Sequence, residues 1–231
     1  MGFKDIIKSL NINLPHETLE ALNRHSRLQE EADFFLRMLR QEEIVEMLEF
    51  MSELDGFQDL LPIWTDDNSN YVCMYYRGPL SYRVCYVNHE ETDLSPGFRN
   101  VSTFIAALEP NPQSEWGDLE KDYPNAHPEN SEWIAADLES IEQIHHILQN
   151  SDLEDEVRCQ YIYSVLALTP YDYLDSLVQF LVEDDMFVQE RACDILGYHQ
   201  YVPAREKLRE IAEHGLPNAR SAAKRALARI G

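Results

Sequence analysis

Positive charge is what this chain has least of: 19 Lys and Arg stand against 42 Asp and Glu among 231 residues, a formal charge of −23. A surface of that sign repels phosphate backbones and anionic lipid, so nucleic acid and anionic membranes are disfavoured as partners, and a basic partner or simple solubility is favoured. The eight glycines are scattered, and none builds a Gly-rich phosphate cradle. The four cysteines, Cys73, Cys85, Cys159 and Cys193, include no close pair of the kind that binds zinc or exchanges disulfides. No apolar run reaches the roughly 18 residues of a membrane span. The N-terminus, Met1-Gly2-Phe3-Lys4-Asp5-Ile6, carries an early acid and only short apolar runs, unlike a signal peptide. Together these absences predict a chain made and used in the cytoplasm, with its thiols reduced.

What is present argues for folding despite the acidity. Hydrophobic residues make up 44% of the chain, and its length allows one large or two small domains. The charge is uneven. From Pro203 to Gly231 seven Lys or Arg face three Glu, a local excess of four positive charges that leaves −27 on everything before.

The stretch from Leu60 to Leu108 organises the rest. Two aromatic and β-branched runs, Tyr71 to Tyr76 and Tyr82 to Val87, flank an Arg77-Gly78-Pro79-Leu80 turn and read as a hairpin. Asp66 to Asn70 supplies an earlier turn. After the hairpin come a polar, acidic run from His89 to Asp93, a Ser95-Pro96-Gly97 break and a short amphipathic helix from Val101 to Leu108.

This order, with Leu61, Pro62 and Trp64 entering the hairpin, Asp67, Asn70 and Tyr71 at its first turn, Gly78, Pro79 and Val84 at its second, His89 after it, and Ser95, Pro96, Phe98, Val101 and Phe104 at its close, resembles the SUKH superfamily of bacterial immunity proteins. The resemblance implies an α+β fold with a small antiparallel sheet. It also implies a non-enzymatic role: binding a toxin and blocking its active site, the toxin often being a nuclease or a nucleic-acid deaminase. The superfamily's eukaryotic namesakes resemble regulators or scaffolds, which leaves a housekeeping interaction protein as the rival reading.

Before the hairpin, a helix is expected from about His16, after Leu14-Pro15. Leu28, Ala32, Phe35, Leu36, Leu39, Ile44, Met47, Leu48 and Met51 then recur at helical spacing, predicting one long helix from Ser26 to Leu54, or two with a break near Gln41. Gly56 ends it. Residues 1–109 are thus read as the mixed domain. Residues 110–131, where Pro110, Pro112, Pro124 and Pro128 fall among polar residues, are read as a linker, with Trp116 and Tyr123 lying against a domain surface.

Residues 132–231 read as helical and repetitive. Val188 to Gly197, VQERACDILG, aligns with Ala219 to Ala228, ARSAAKRALA, at a spacing of 31 residues, and Arg158 to Ala167 is a fainter copy. Second helices, Tyr171 to Val182 and Pro203 to Glu213, lie between. The segment resembles short HEAT repeats, the opening Glu154, Val157 and Arg158 adding to the likeness, and implies a C-terminal α-solenoid that either presents a surface to a partner or, being short, serves as a stabilising annex.

No constellation in the sequence suggests an enzyme, a cofactor or a metal. His145 and His146 are adjacent on a helix and point about 100° apart rather than at one ion. His89 has no serine or cysteine placed as its nucleophile and is read as structural. Asp66 to Asn70 has the composition of a calcium loop but lacks the glycine and glutamate an EF-hand needs, so the turn reading stands. The hairpin aromatics admit two readings. Either both sheet faces are covered, with Trp64 beside Pro62 part of the core, or tyrosines such as Tyr75 and Tyr76, with Trp64, form an exposed partner-binding surface rimmed by Glu90, Glu91 and Asp93.

Overall fold

The computed structural model describes residues 7–8, 12–90, 93–124, 130–150 and 152–231. The fold is α+β, in two compact units, Met1–Tyr123 and Pro124–Gly231.

The first unit runs α1 (His16–Glu31), β1 (Arg37–Met38), α2 (Gln41–Ser52), β2 (Leu60–Thr65), β3 (Tyr71–Tyr75), β4 (Val84–Val87) and α3 (Val101–Leu108). The strands form one antiparallel sheet in the order β1-β2-β3-β4. Leu61, Met74 and Val84 align across three strands, and Trp64 and Val72 across two. These side chains share a core with Leu22 of α1 and with Phe98, Val101, Phe104 and Ile105, since alternate strand residues point to one face. A register shift between Pro62 and Trp64 interrupts the alternation in β2, where every residue is buried.

Two expectations change. Of the two readings of the periodicity from Ser26 onward, the one with a break holds in part: α1 ends at Glu31, Ala32 is extended, and the second helix starts at Gln41. Between the two helices the chain pairs as β1. Leu36 and Leu39 keep their burial in this extended segment, because Leu39 N–H donates to Ile63 O and Phe35 N–H to Pro112 O. Apolar spacing reports which residues are buried, and here sheet hydrogen bonds rather than a helix bury them.

The first half of the expected linker is part of the first unit. Trp116 stacks on Tyr86 with centroids 5.1 Å apart and meets Phe98 edge-on at 5.3 Å. A Cβ on Gly97 would lie 2.6 Å from the Trp116 ring, so glycine in the Ser-Pro-Gly break is what admits this tryptophan. Tyr123 N–H donates to Gly97 O at 3.1 Å, and Asp122 accepts from Arg99 N–H and the Thr103 hydroxyl at 2.7 and 2.6 Å.

The second unit consists of α4 (Ser131–Asn150), α5 (Asp155–Leu168), a 3-10 helix (Tyr171–Val182), α6 (Met186–Tyr198), a 3-10 turn (Val202–Ala204), α7 (Arg205–His214) and α8 (Pro217–Ile230). The long 3-10 helix is unusual in length, and its sequence suits three residues per turn. Leu174, Leu177 and Phe180 form its buried row, while Tyr173, Ser176, Gln179 and Val182 form an exposed one. Between α6 and α8 the packing is through small residues: Ala192, Ala219, Ala222, Ala223 and Ala226 are buried, and a Cβ on Gly197 would meet Ala226 Cα at 2.6 Å.

Candidate interaction surfaces

Of the hairpin aromatics proposed as a partner-binding surface, two are interior. Trp64 is fully buried, with Phe104 4.6 Å away and the His25 ring 6.0 Å away, because the β2 irregularity turns its indole into the core. Tyr75 is 7% exposed, and its hydroxyl donates to Leu94 O at 2.7 Å. The segment after β4 returns beside the strand, pairing Phe98 with Val84, and thereby covers the face that holds Tyr75, Cys73 and Cys85. Neither Trp64 nor Tyr75 can meet a partner. Cys73 and Cys85 are cross-strand neighbours with free, wholly buried thiols, both held well above their ordinary pKa by desolvation.

Tyr76 is half-buried at the other end of β2. Its hydroxyl donates to Gln58 O at 2.9 Å, Arg77 lies 5.2 Å over its ring, and Arg77 pairs with Asp59. It lines a recess of about 150 Å³ with Leu48, Met51, Phe57 and Leu60. Glu90 is exposed, Glu91 lies outside the described residues, and Asp93 is half-buried, accepting Ser95 N–H at 2.9 Å. Glu90 does not rim the tyrosine. Tyr71 pairs with Val87, so Glu90 follows β4 at the Tyr71 end of β3, whereas Tyr76 follows the opposite end, roughly 16 Å of strand away.

At the Glu90 end the turns are bound to each other. Asn70 Oδ1 accepts from His89 N–H and His89 Nδ1 at 3.0 and 2.7 Å, and Asn70 Nδ2 donates to Asp66 at 2.7 Å. His89 is thereby a joint between turns. Asp67, in the left-handed region at φ 61, is held by Arg37, which also forks onto Glu43. Hydrogen bonds from Arg37 and then Arg40 hold the Glu43 carboxyl well below the usual range.

A buried network of polar groups had no clear sequence signal. His25 is fully buried, its Nδ1 3.1 Å from Glu109 Oε1 and its Nε2 2.9 Å from Gln29 Nε2. Gln29 also donates to Leu36 O and accepts Met38 N–H, so its amide orientation is set. Nε2 of His25 must then accept, and the ring is neutral with its proton on Nδ1. Desolvation, partly opposed by Glu109, lowers its pKa. His25 and Gln29, one helical turn apart, are the part of it that spacing could have hinted at; Glu109 lies 84 residues away.

Among the described residues, more large apolar side chains are exposed in the second unit. Trp133, Tyr173, Val182, Phe187, Tyr198 and Val202 are all at least 40% exposed, against Val45 and Phe50 in the first unit. Tyr198 contacts His199 at 5.1 Å, and Tyr171 contacts His199 and Tyr201 at 6.2 and 6.4 Å, which places these rings in one group. His145 is half-buried and His146 exposed on α4. Among the described residues no group of three or more His, Cys, Asp or Glu is placed to hold a metal ion. No helix of the described residues is long and apolar enough to cross a membrane.

No protein-family model, curated protein or solved structure matches this chain.

Proposed function

We propose that this is a non-enzymatic immunity protein of the SUKH kind, carrying a short HEAT-like α-solenoid, which works in the cytoplasm by binding a basic toxin and blocking its active site. The observation that carries the reading is the structural position of the residues behind the resemblance. Pro62 and Trp64 flank the register shift, Gly78 takes φ 79 in the hairpin turn, Asn70 and His89 join two turns, Phe98 bridges to Val84, and Phe104 fills the core. A motif whose members join the sheet or fill its core reads as a fold signature, which supports a family defined by architecture and not by chemistry.

The charge of −23 supports the choice of target. A nuclease or nucleic-acid deaminase grips phosphates with a basic site, and an acidic protein associates with such a site under electrostatic steering. Protection is the test: the chain is co-expressed with nuclease or deaminase toxin domains encoded beside it, and growth and complex formation are scored. Rescue of growth with a stoichiometric complex supports the proposal, and unrelieved toxicity with no complex overturns it.

The exposed rings of the second unit favour a second reading, in which the helical repeats hold a protein partner and the chain is a regulator or scaffold. A partner that binds without any toxic activity of its own would select it.

A further inference from the structure

Cys73 on β3 and Cys85 on β4 stand opposite each other in the register of the ladder, and both thiols are free. Two residues further along, Tyr75 N–H donates to Arg83 O at 2.9 Å, whereas Val84 N–H turns away from β3 to Phe98 O at 3.0 Å. Alternation along an antiparallel ladder therefore makes Cys73 and Cys85 a hydrogen-bonded pair, with Cα atoms about 5.5 Å apart and both side chains on one face. A disulfide spans Cα atoms about 4.4–6.8 Å apart, most often about 5.5–6 Å. The backbone thus already has the spacing of a cross-link.

While the sheet is closed the pair is quiescent. Both residues are 0% exposed, and desolvation keeps the thiols protonated, so neither is a nucleophile. Their cover is the segment that returns after β4. Leu94, also buried, accepts the Tyr75 hydroxyl on its carbonyl at 2.7 Å, and Phe98 bridges to Val84. Among the described residues the pair belongs to no group able to hold a metal ion. What two opposed thiols in a strand ladder can still do is join to each other.

We propose that Cys73 and Cys85 are a redox-sensitive pair, reduced while the cover is closed and joined into a cross-strand disulfide when the cover opens to a low-molecular-weight disulfide. With glutathione disulfide as oxidant, one cysteine loses its proton and its thiolate attacks a glutathione sulfur, forming a mixed disulfide and expelling one glutathione thiolate. The second cysteine thiolate then attacks the protein sulfur of that mixed disulfide and expels the second glutathione. Two electrons pass from the cysteines to the oxidant, and the two thiol protons end on the two glutathiones. The new bond closes the loop from Cys73 to Cys85, removing freedom from the unfolded chain, so the oxidised sheet is the more stable one. A disulfide that forms in a reducing compartment only on challenge is of the sensing kind. The proposal does not depend on what the chain binds.

The test equilibrates the full chain, with Cys159→Ala and Cys193→Ala to leave only this pair, in mixtures of reduced and oxidised glutathione, with and without sub-denaturing urea. Peptide mass spectrometry maps the product. A Cys73–Cys85 cross-link should form, raise the urea midpoint of the first unit and slow hydrogen exchange of the β3 and β4 amides at least tenfold. It should form at least tenfold faster in sub-denaturing urea, because opening precedes attack. Tyr75→Phe, which removes the hydrogen bond to Leu94, should speed it at least threefold without urea. Glutathione adducts at Cys73 or Cys85 with no cross-link would overturn the proposal, as would a cross-link that lowers the urea midpoint. Thiols that stay free in fully oxidising mixtures would overturn it too, leaving two apolar side chains of the core. A cross-link that forms at one rate with and without urea would overturn the part assigned to the cover. Should the alanine substitutions unfold the chain, the same digest reads the cross-link in the unsubstituted protein, where Cys159 and Cys193 fall in other peptides.

Discussion

In the first unit Trp64, Phe98, Phe104 and Trp116 touch one another between a sheet and its helices, with centroids 4.6 to 6.1 Å apart. In the second, α6 and α8 meet through Ala192, Ala222, Ala223, Ala226 and Gly197, and Tyr173, Phe187 and Tyr198 remain outside. The difference follows from the packing partner. A twisted sheet leaves a wide gap that rings fill, whereas two helices approaching through alanine and glycine leave no room for them. An interior built from small residues leaves the large ones outside. That is why the exposed rings lie on the helical unit although the aromatic sequence signal is strongest in the hairpin.

The largest expected effect concerns where the first unit ends. A chain stopped at Glu109 loses Trp116, Leu119 and Tyr123, the last two almost fully buried. Each such loss costs about 2–5 kcal/mol, and together they reach the roughly 5–15 kcal/mol that holds a domain folded. Residues 1–109 should therefore fail to fold, while residues 1–123 should give a dispersed NMR spectrum. Equal behaviour of the two fragments would show that residues 110–123 decorate the unit instead of completing it.

Two glycines compare the interiors directly. An added Cβ lies 2.6 Å from the Trp116 ring at Gly97 and 2.6 Å from Ala226 Cα at Gly197. A ring can shift, but a helix backbone moves only with its whole helix. Gly197→Ala is expected near the top of the about 1–3 kcal/mol range for overpacking, and Gly97→Ala nearer the bottom. Hydrogen exchange, which reads the two units separately, measures both. A reversed order would mean that the helix pair is the softer of the two interiors.

Legibility followed the same division. The hairpin, the Asp66 to Asn70 turn and the Val101–Leu108 helix were readable because their signals are local: alternation, turn residues, an amphipathic repeat. Their tertiary neighbours were not. Nothing near Trp116 in sequence says that Gly97 leaves room for it, so a Pro-rich stretch read as a linker. Periodicity at Leu36 and Leu39 correctly marked burial and misread its cause. The proposed site failed on strand direction: Tyr76 and Glu90 are close in sequence, yet an antiparallel strand carries them to opposite ends of the sheet. On the helical side, exposure of Tyr173 and Tyr198 depends on how helices stack, which a single sequence does not state.

A moderate effect separates the units by pH. His25 faces Glu109 from the end of α3, Arg24 from its own helix, and the uncharged Gln29, Phe34 and Trp64. Its folded pKa lies below the unfolded value of about 6.5, so the unfolded chain binds the extra proton first. The first unit should be at full stability above about pH 6.5 and lose stability as pH falls from there toward the folded pKa. Urea midpoints of residues 1–123 at pH 8 and pH 5.5 measure it. His25→Leu should flatten that slope, and an unchanged slope would place the acid sensitivity in other groups.

The smallest effect tests a single helix end. Asp185 caps α6, accepting Phe187 and Val188 N–H, each at 2.9 Å, and its charge faces the positive end of the helix. Asn100 caps α3 without a charge, accepting Thr103 N–H at 3.0 Å. Asp185→Ala should cost about 1 kcal/mol in the second unit and leave exchange in the first unchanged. Asp185→Asn keeps the hydrogen bonds and loses the charge, so it should cost only about 0.3–1 kcal/mol, and less at high salt. If alanine and asparagine cost the same, the charge and not the hydrogen bonds holds this helix end, and the two caps differ in kind.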